Sequence, residues 1–316
     1  MPSFHRKKFK YISYLRKREQ IKEKLSKIEI GVFFVPLVTA RQMLLDAQKG
    51  GYAVGAFNIE NMEMAQAVVV AAQKMYAPVI VQTTPKTVRY AGAAVFSALV
   101  SSLAGQAGVP VARHLDHGES VGQCVEALRA GYSSIMIDGS RLTLEENISL
   151  TKKVADLCAQ ANVPVEGELG RVGGKEDDAE SAGMIYTDPD EAVRFEAETG
   201  VDSLAIGVGT AHGIYAGIPT VNAPLVLQLR NILKIPLVLH GASGIPGEVI
   251  KDCIKRGICK VNFATELRVA YTDGVKEALA EKADLFDPKI IGEAAKSRVQ
   301  TLVEKLIAMC GCAGKV

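Results

Sequence analysis

Val109-Pro110-Val111-Ala112-Arg113-His114-Leu115-Asp116-His117 and Ser133-Ser134-Ile135-Met136-Ile137-Asp138-Gly139 are two short runs with strand character, each ending on polar or ionisable residues. A longer helix-like stretch separates them, and Ala130-Gly131 supplies a helix stop just before the second run. Strand, helix and strand in that order make a parallel unit, because the intervening helix carries the chain back to the end from which the first strand started.

The same rhythm extends in both directions. Tyr52–Asn58, Pro78–Thr84, Val109–His117, Ser133–Gly139, Val163–Gly170, Ser203–Gly209, Pro236–Gly241 and Ile258–Thr265 are eight such runs. Several are apolar almost throughout, as parallel strands covered on both faces should be. After the fourth run, Leu150, Val154, Leu157, Cys158 and Ala161 recur at helical spacing and predict one buried helix face. Thr199-Gly200 and Arg256-Gly257 are further helix stops before strands. Eight βα units over about 250 residues predict an α/β protein with a (β/α)8 TIM barrel. An open Rossmann-type sheet is the rival, but no Gly-x-Gly-x-x-Gly follows the first run. Asp287-Pro288 opens a C-terminal helical extension, so residues 36–316 are expected to form one barrel domain.

Composition narrows the classes. The 316 residues are 48% hydrophobic and 23% charged, which is ample apolar surface to offset the entropy of ordering. The apolar runs fall short of the ~20 residues of a membrane helix, so no membrane partner is expected. Cysteines 124, 158, 253, 259, 310 and 312 are scattered without a disulfide framework and read as reduced thiols of a cytoplasmic protein.

Charge is uneven. Residues 1–35 hold ten Lys/Arg against three Glu, a net of +7, which leaves the other residues at −5 within the total of +2. The mildly acidic body gives no reason to expect a nucleic-acid partner. The basic leader lacks a small-residue cleavage site and does not read as a secretory signal. A solvated arm or a nucleic-acid side role are alternatives. The preferred reading is that residues 1–35 are disordered or not native, with Val35 marking an alternative start.

In a barrel of this type, chemistry sits at the C-terminal strand ends. Those ends carry Asn58, Thr84, Asp116-His117, Asp138, Glu168, His212, His240 and Asn262 to Thr265. His117, His212 and His240 each follow a different run, and three imidazoles at one mouth have the ligand count of a catalytic zinc site. A single histidine is more often a hydrogen-bonded structural residue, so it is the set that carries the reading. His114 lies inside its run and reads as structural or as support for a ligand. Asp116 either exchanges a proton with a bound hydroxyl or orients His117. Asp138 and Glu168 either offer a second metal position or hold the ligands. Glu176-Asp177-Asp178 follow Gly173-Gly174 in a loop long enough to act as a lid. Gly207, Gly209, Gly213, Gly241, Ser243, Gly244, Asn262 and Thr265 crowd the last runs, as in a phosphate cradle or in tight βα turns.

Six motifs, in order, give the chain a family likeness. They are His114-Leu-Asp-His117, Val165-Glu-Gly-Glu-Leu-Gly170, Gly173-Gly-Lys-Glu-Asp-Asp178, Gly209-Thr-Ala-His-Gly213, Leu239-His-Gly-Ala-Ser-Gly244 and Val261-Asn-Phe-Ala-Thr-Glu266. From about Pro36 to the C-terminus the chain resembles the class II, metal-dependent ketose-bisphosphate aldolases.

The resemblance implies Zn2+ on His117, His212 and His240, with Asp138 and Glu168 near an alternative metal position. It implies that Asp116 exchanges a proton with the C4 hydroxyl and that Glu176 handles the proton at C3. Gly213, Gly241, Ser243, Asn262 and Thr265 match a cradle for the phosphate of dihydroxyacetone phosphate, and Asn58 matches a substrate-contacting asparagine. A monovalent cation (Na+ or K+) near Gly213 and Gly241 is also implied. So are a phosphorylated ketose as substrate, a homodimer or homotetramer, and in part of the family a non-catalytic partner subunit.

The branch stays open. Asn262-Phe-Ala-Thr-Glu266 with Gly209–Gly213 resembles the tagatose-1,6-bisphosphate enzymes, whereas His114–Gly118 and Gly183-Met-Ile-Tyr186 resemble fructose-1,6-bisphosphate enzymes of Gram-positive bacteria. Arg113 departs from the family pattern, and a buried charge there calls for a partner such as a carboxylate near the mouth.

Other chemistries fit less well. A Schiff-base aldolase needs a lysine in the barrel mouth, and Lys260 comes too early in the eighth run. A zinc hydrolase would share the histidines but not the phosphate-type glycines. A non-catalytic barrel would be expected to have lost a ligand histidine or Asp116.

Overall fold

Strand pairing follows from the way neighbouring backbones match their hydrogen-bonding groups, and here eight strands match around a full circle. The computed structural model describes residues 37–176, 179–181, 183–213 and 220–316. The leader 1–35 lies outside them.

In chain order the elements are α1 (Ala40–Gly50), β1 (Val54–Asn58), α2 (Met62–Met75), β2 (Val79–Thr83), α3 (Pro85–Ala91), α4 (Ala93–Ala107), β3 (Val111–Gly118), α5 (Val121–Arg129), β4 (Ser134–Ile137) and α6 (Leu144–Ala159). They continue as β5 (Val165–Leu169), β6 (Gly173–Glu176), β7 (Ala179–Ser181), α7 (Pro189–Thr199), β8 (Ser203–Ile206), β9 (Ala211–His212) and α8 (Ala223–Ile232). The last are β10 (Leu237–Leu239), α9 (Gly247–Lys255), β11 (Ile258–Phe263), α10 (Thr265–Glu281) and α11 (Pro288–Cys310). Strands β1, β2, β3, β4, β5, β8, β10 and β11 pair in parallel and close into the expected (β/α)8 barrel, with β11 returning to β1.

Within each strand the side chains alternate between two environments. On β3, His114 and Asp116 reach across the interior to β11, while Arg113 beside His114 meets Ser97 of α4. The outward residues, among them Phe57, Leu115, Ile135, Leu204, Leu239, Val261 and Phe263, join one large core between the barrel and its helices. Inside the barrel, Met136, Ala205 and Val238 form a small separate apolar cluster. The other inward positions described below are polar.

Helix ends follow local chemistry. Asn61, Thr84, Ser120, Thr143, Asp188, Asn222 and Asp287 each cap a helix N-terminus by accepting from a backbone N–H of the first turn. Thr143 and Glu146 close a reciprocal capping box. Gly200 ends α7 in the left-handed region, as its position after Thr199 predicts. The extension beginning at Asp287-Pro288 is the 23-residue helix α11, which packs on α2 and α10. Among the described residues, no single helix is long and apolar enough to cross a membrane.

Three features depart from the sequence reading. First, the buried face of α6 is Asn147, Ile148, Thr151, Val154 and Cys158, so Leu150 and Leu157 sit at its margin and Ala161 lies exposed beyond the helix end. Asn147 holds that face in place by donating to the Glu168 carbonyl at 2.9 Å. Second, β6, β7 and β9 form a small side sheet above the barrel in the order β7-β6-β9, where the sequence suggested only a loop. Third, Arg113 has backbone carbonyls rather than a carboxylate as partners. It donates to the Ser97 and Gly131 carbonyls and to Ser101 Oγ, and its guanidinium lies over the Tyr132 ring at 5.3 Å. Carbonyl oxygens carry enough partial charge to solvate a guanidinium, so a helix–strand junction can hold it.

Candidate active site

His117 is the penultimate residue of β3 and adopts φ +49°, a left-handed conformation that turns its ring toward the barrel axis. His240 directly follows β10, and His212 sits on β9 of the side sheet. The three rings converge: centroids are 5.0 Å apart for His117 and His212, 4.6 Å for His117 and His240, and 6.1 Å for His212 and His240. One ligand-type nitrogen from each lies within 4.8 Å of the others, and His117, Asp138 and Glu168 form a second such group.

Two of these imidazoles are held from behind by carboxylates. His117 Nδ1 lies 2.9 Å from Asp138 Oδ2, and His240 Nε2 lies 2.9 Å from Glu166 Oε1. An ionised carboxylate only accepts, so each ring places its N–H there. That leaves His117 Nε2 and His240 Nδ1 facing each other at 2.9 Å with lone pairs on both. A cation bound between them resolves this juxtaposition, and the residues therefore fit a metal ion. Burial works against ionisation of Asp138, but the contact with His117 and the Ser140 N–H hold its carboxyl below the usual range.

Beneath the histidines lies a buried ionic layer. Lys260 Nζ is 2.8 Å from Glu166 Oε2 and 3.4 Å from His114 Nε2, and His114 Nδ1 is 2.8 Å from Ser134 Oγ. Burial opposes the charge on Glu166, yet Lys260 and then His240 and His114 keep its carboxyl below the ordinary range. Burial, reinforced by Lys260, pushes His114 well below its usual value and keeps it neutral. The lysine is thus committed to a carboxylate and fully enclosed.

Asp116 is completely buried beside this layer. Its Oδ2 accepts from Asn58 Nδ2 at 2.8 Å and Gln82 Nε2 at 3.1 Å, and its Oδ1 accepts from Asn262 Nδ2 at 3.0 Å. Gln82 also donates to Asn58 Oδ1 at 2.7 Å, so three amides from β1, β2 and β11 lock one carboxylate in orientation. Asp116 Oδ1 stands 3.9 Å from His117 Nε2.

On one side of the histidines a small cleft is lined by Asn58, Gly213, Gly241, Ser243, Asn262 and Thr265, together with Ala264, Arg268 and His212. Gly241 adopts φ +63°, and a Cβ there would meet the Ala211 carbonyl oxygen at 2.6 Å, so only glycine allows this approach. Thr265 begins α10, and with Ala264 before it lines the cleft, so the N-terminus of the helix lies at its edge. Ser243 Oγ donates to Glu266 Oε2, and burial raises the Glu266 carboxyl to about 7.

A family model described as fructose-bisphosphate aldolase class-II matches residues 38–315. The chain belongs to that family. Similar solved structures agree with this. The YdjI aldolase of Escherichia coli K12 is 36% identical, with a TM-score of 0.79 over 88% of this chain and 99% of that one. A putative fructose-1,6-bisphosphate aldolase from Coccidioides immitis is 29% identical, with a TM-score of 0.80 over 87% and 97%. The fold alone is shared with the fructose-bisphosphate aldolase of Campylobacter jejuni, at 22% identity and a TM-score of 0.77 over 90% and 98%.

In this class II aldolase, the barrel mouth gathers Asn58, Asp116, His117, Asp138, Glu168, His212, Gly213, His240, Gly241, Ser243, Asn262 and Thr265 around one centre. Glu176 ends β6, which is paired with His212's strand β9, but its side chain and Asp177-Asp178 lie outside the described part.

Several site residues are not among those the sequence points to. Gln82, Glu166 and Lys260 each stand two positions before a residue that it does mark (Thr84, Glu168 and Asn262). The strand period of two is the signal that puts Glu166 and Lys260 on the inner face with Glu168 and Asn262. Glu266, buried at the edge of the cleft, carries no such signal.

Proposed function

We propose that the protein catalyses reversible zinc-dependent cleavage of a ketose 1,6-bisphosphate, fructose or tagatose, to dihydroxyacetone phosphate and glyceraldehyde 3-phosphate. The observation that carries the reading is the set of three converged imidazoles adjoining an aspartate held by three amides. His117, His212 and His240 would hold the ion, with Asp138 and Glu168 within reach of a second position.

Zinc, when bound, acts as a Lewis acid that withdraws charge from a substrate carbonyl oxygen. The protein supplies the rest. Asp116 is oriented to take the proton from the C4 hydroxyl as the C3–C4 bond breaks, its other lone pairs being occupied by amide donors. Glu176, the last residue of β6, returns a proton to C3 of the dihydroxyacetone phosphate half. Asn58, Gly213, Gly241, Ser243, Asn262 and Thr265 receive that half's phosphate, whose remote binding energy positions the reacting carbons. The Ala211 carbonyl, close against Gly241, is the ligand type an alkali cation such as Na+ or K+ takes there. A homodimer or homotetramer in the cytoplasm, with or without a non-catalytic partner subunit, belongs to the same reading, and the buried free thiols are consistent with a reducing compartment.

The test is the rate of triose phosphate release from fructose and tagatose 1,6-bisphosphate side by side, with and without a chelator. Chelator-sensitive release is expected, and the faster ketose names the branch. Zinc-loaded protein that cleaves neither would overturn the reading.

A further inference from the structure

His212 borders two spaces. One is the cleft of Gly241 and Ser243 described above. The other is a separate cavity of about 380 Å³ that shares His212 with the first and is bounded by His117, Asp138 and Glu168 and by Ser140, Arg141 and Arg171. A substrate whose reacting bond lies at the histidines has room to extend one end into each.

The charges in the second cavity are unevenly committed. Asp138 is engaged by His117 and Ser140, and Glu119 is engaged by Gln123 at 3.0 Å and Arg89 at 3.5 Å. Glu168 lies 3.8 Å from His117 Nδ1 and 3.6 Å from His240 Nδ1. Arg171 is different. Its backbone is bridged to Ile185, which fixes the residue, and its Nη2 makes one long contact to the Ser140 carbonyl at 3.4 Å. Its Nε is buried and has no acceptor among the described residues. Neither Arg171 nor Arg141 has a carboxylate partner among them.

A buried N–H without an acceptor is costly, and a guanidinium edge offers two parallel donors whose geometry matches a carboxylate or phosphate. The loop that carries the contact is also tied to the histidines: Ser140 N–H donates to the same Asp138 that holds His117.

Building on the aldolase reading, we propose that Arg171, with Arg141 beside it, forms an anion subsite for the far end of the aldehyde half. The enzyme then selects aldehydes that end in a phosphate or carboxylate over neutral ones. Arg171 supplies the fixed donors and Arg141, which is exposed, supplies additional charge at the entrance.

The experiment runs the reaction in the condensation direction, with dihydroxyacetone phosphate and three acceptors: glyceraldehyde 3-phosphate, succinic semialdehyde and unphosphorylated glyceraldehyde. Arg171→Met should raise KM for the preferred anionic acceptor about 10- to 100-fold, the loss expected for one charge-assisted hydrogen-bonded contact. Arg141→Met should raise it about 3-fold, and both variants should leave the neutral acceptor within 2-fold of wild type. Whichever anionic acceptor shows the larger loss identifies phosphate or carboxylate as the natural terminus. An equal loss on the neutral acceptor, or no loss on either anion, overturns the subsite. Should Arg171→Met fail to fold, Arg171→Lys and the exposed Arg141→Met carry the same comparison. Wild-type protein that joins dihydroxyacetone phosphate to none of the three would overturn the aldolase reading itself, a separate outcome.

Discussion

The two faces of the same barrel strands are built on different principles. Facing the helices, Phe57, Leu115, Ile135, Leu204, Val261 and Phe263 form a continuous apolar layer in which Phe57 and Phe263 stack at 5.5 Å. Facing the axis, Lys260, Glu166, His114, Asp116, Gln82, Asn58 and Asn262 are equally buried, yet nearly every contact among them is a hydrogen bond or ion pair. The outer layer stabilises by area removed from water, which tolerates substitution in proportion to the atoms lost. The inner layer holds only as a set, because removing one partner leaves another buried and unsatisfied. The inner face therefore fixes the orientation of the polar groups at the barrel mouth, and the outer face supplies the stability that lets it do so.

The largest effect should come from a change that spares both layers' stability. In Asp116→Asn, the amide can still accept from Asn58 and Gln82, while its new N–H can donate to Asn262 Oδ1, which has no partner in the native protein among the described residues, once the two amides reorient. We expect a fall in kcat of about 10²- to 10⁴-fold with the denaturation midpoint nearly unchanged. A variant that keeps its activity would show that Asp116 is not the group that moves the proton.

The comparison between layers is sharpened by pairing one change on each face. Phe263→Ala and Lys260→Met should each cost about 3–5 kcal/mol in chemical denaturation, the first by leaving a cavity and the second by leaving Glu166 buried without its cation. Only the Lys260 variant should also weaken zinc binding, by about 10- to 100-fold in competition with a chelator, because Glu166 orients His240. Adding Glu166→Gln to Lys260→Met should recover about 1–3 kcal/mol of stability. Equal zinc affinities in the two single variants would erase the distinction.

A smaller effect concerns Glu266 at the edge of the cleft, where burial lifts its carboxyl from 4.5 to about 7. The folded state then holds a proton that the unfolded chain has released across that interval, so this group's contribution to stability falls as pH rises from 4.5 to 7. Ionisation also places a negative charge against Ser243, with Arg268 and His212 as the other charged or titratable groups lining the cleft. KM for a phosphorylated substrate should rise by a few-fold as pH passes 7 in wild type, and Glu266→Gln should flatten both profiles. Identical profiles in the two proteins would remove Glu266 from this role.

Much of this arrangement is legible in the order of residues alone. The eight runs and their helix stops predict the barrel, and the polar residues at the run ends point to the mouth. His117, His212 and His240 are readable because histidine is scarce in this chain and each follows a different strand. Glu166 and Lys260 are less visible. They lie inside runs that look apolar, and only the alternation of side chains across a strand separates them from Val165 and Val261 beside them. Arg113 misleads for the same reason, since an odd position on β3 faces the helices and finds carbonyls instead of a carboxylate.

The periodic pattern, the chemical types at the strand ends and the family likeness are properties of the sequence alone, because they depend on neighbours close along the chain. Barrel closure decided the rest. It brought Lys260 to Glu166 across 94 positions and His240 to His117 across 123, and it directed Arg171 into the cavity without a carboxylate partner among the described residues. Such contacts depend on register and strand direction around the whole barrel, and no local stretch of residues carries that information.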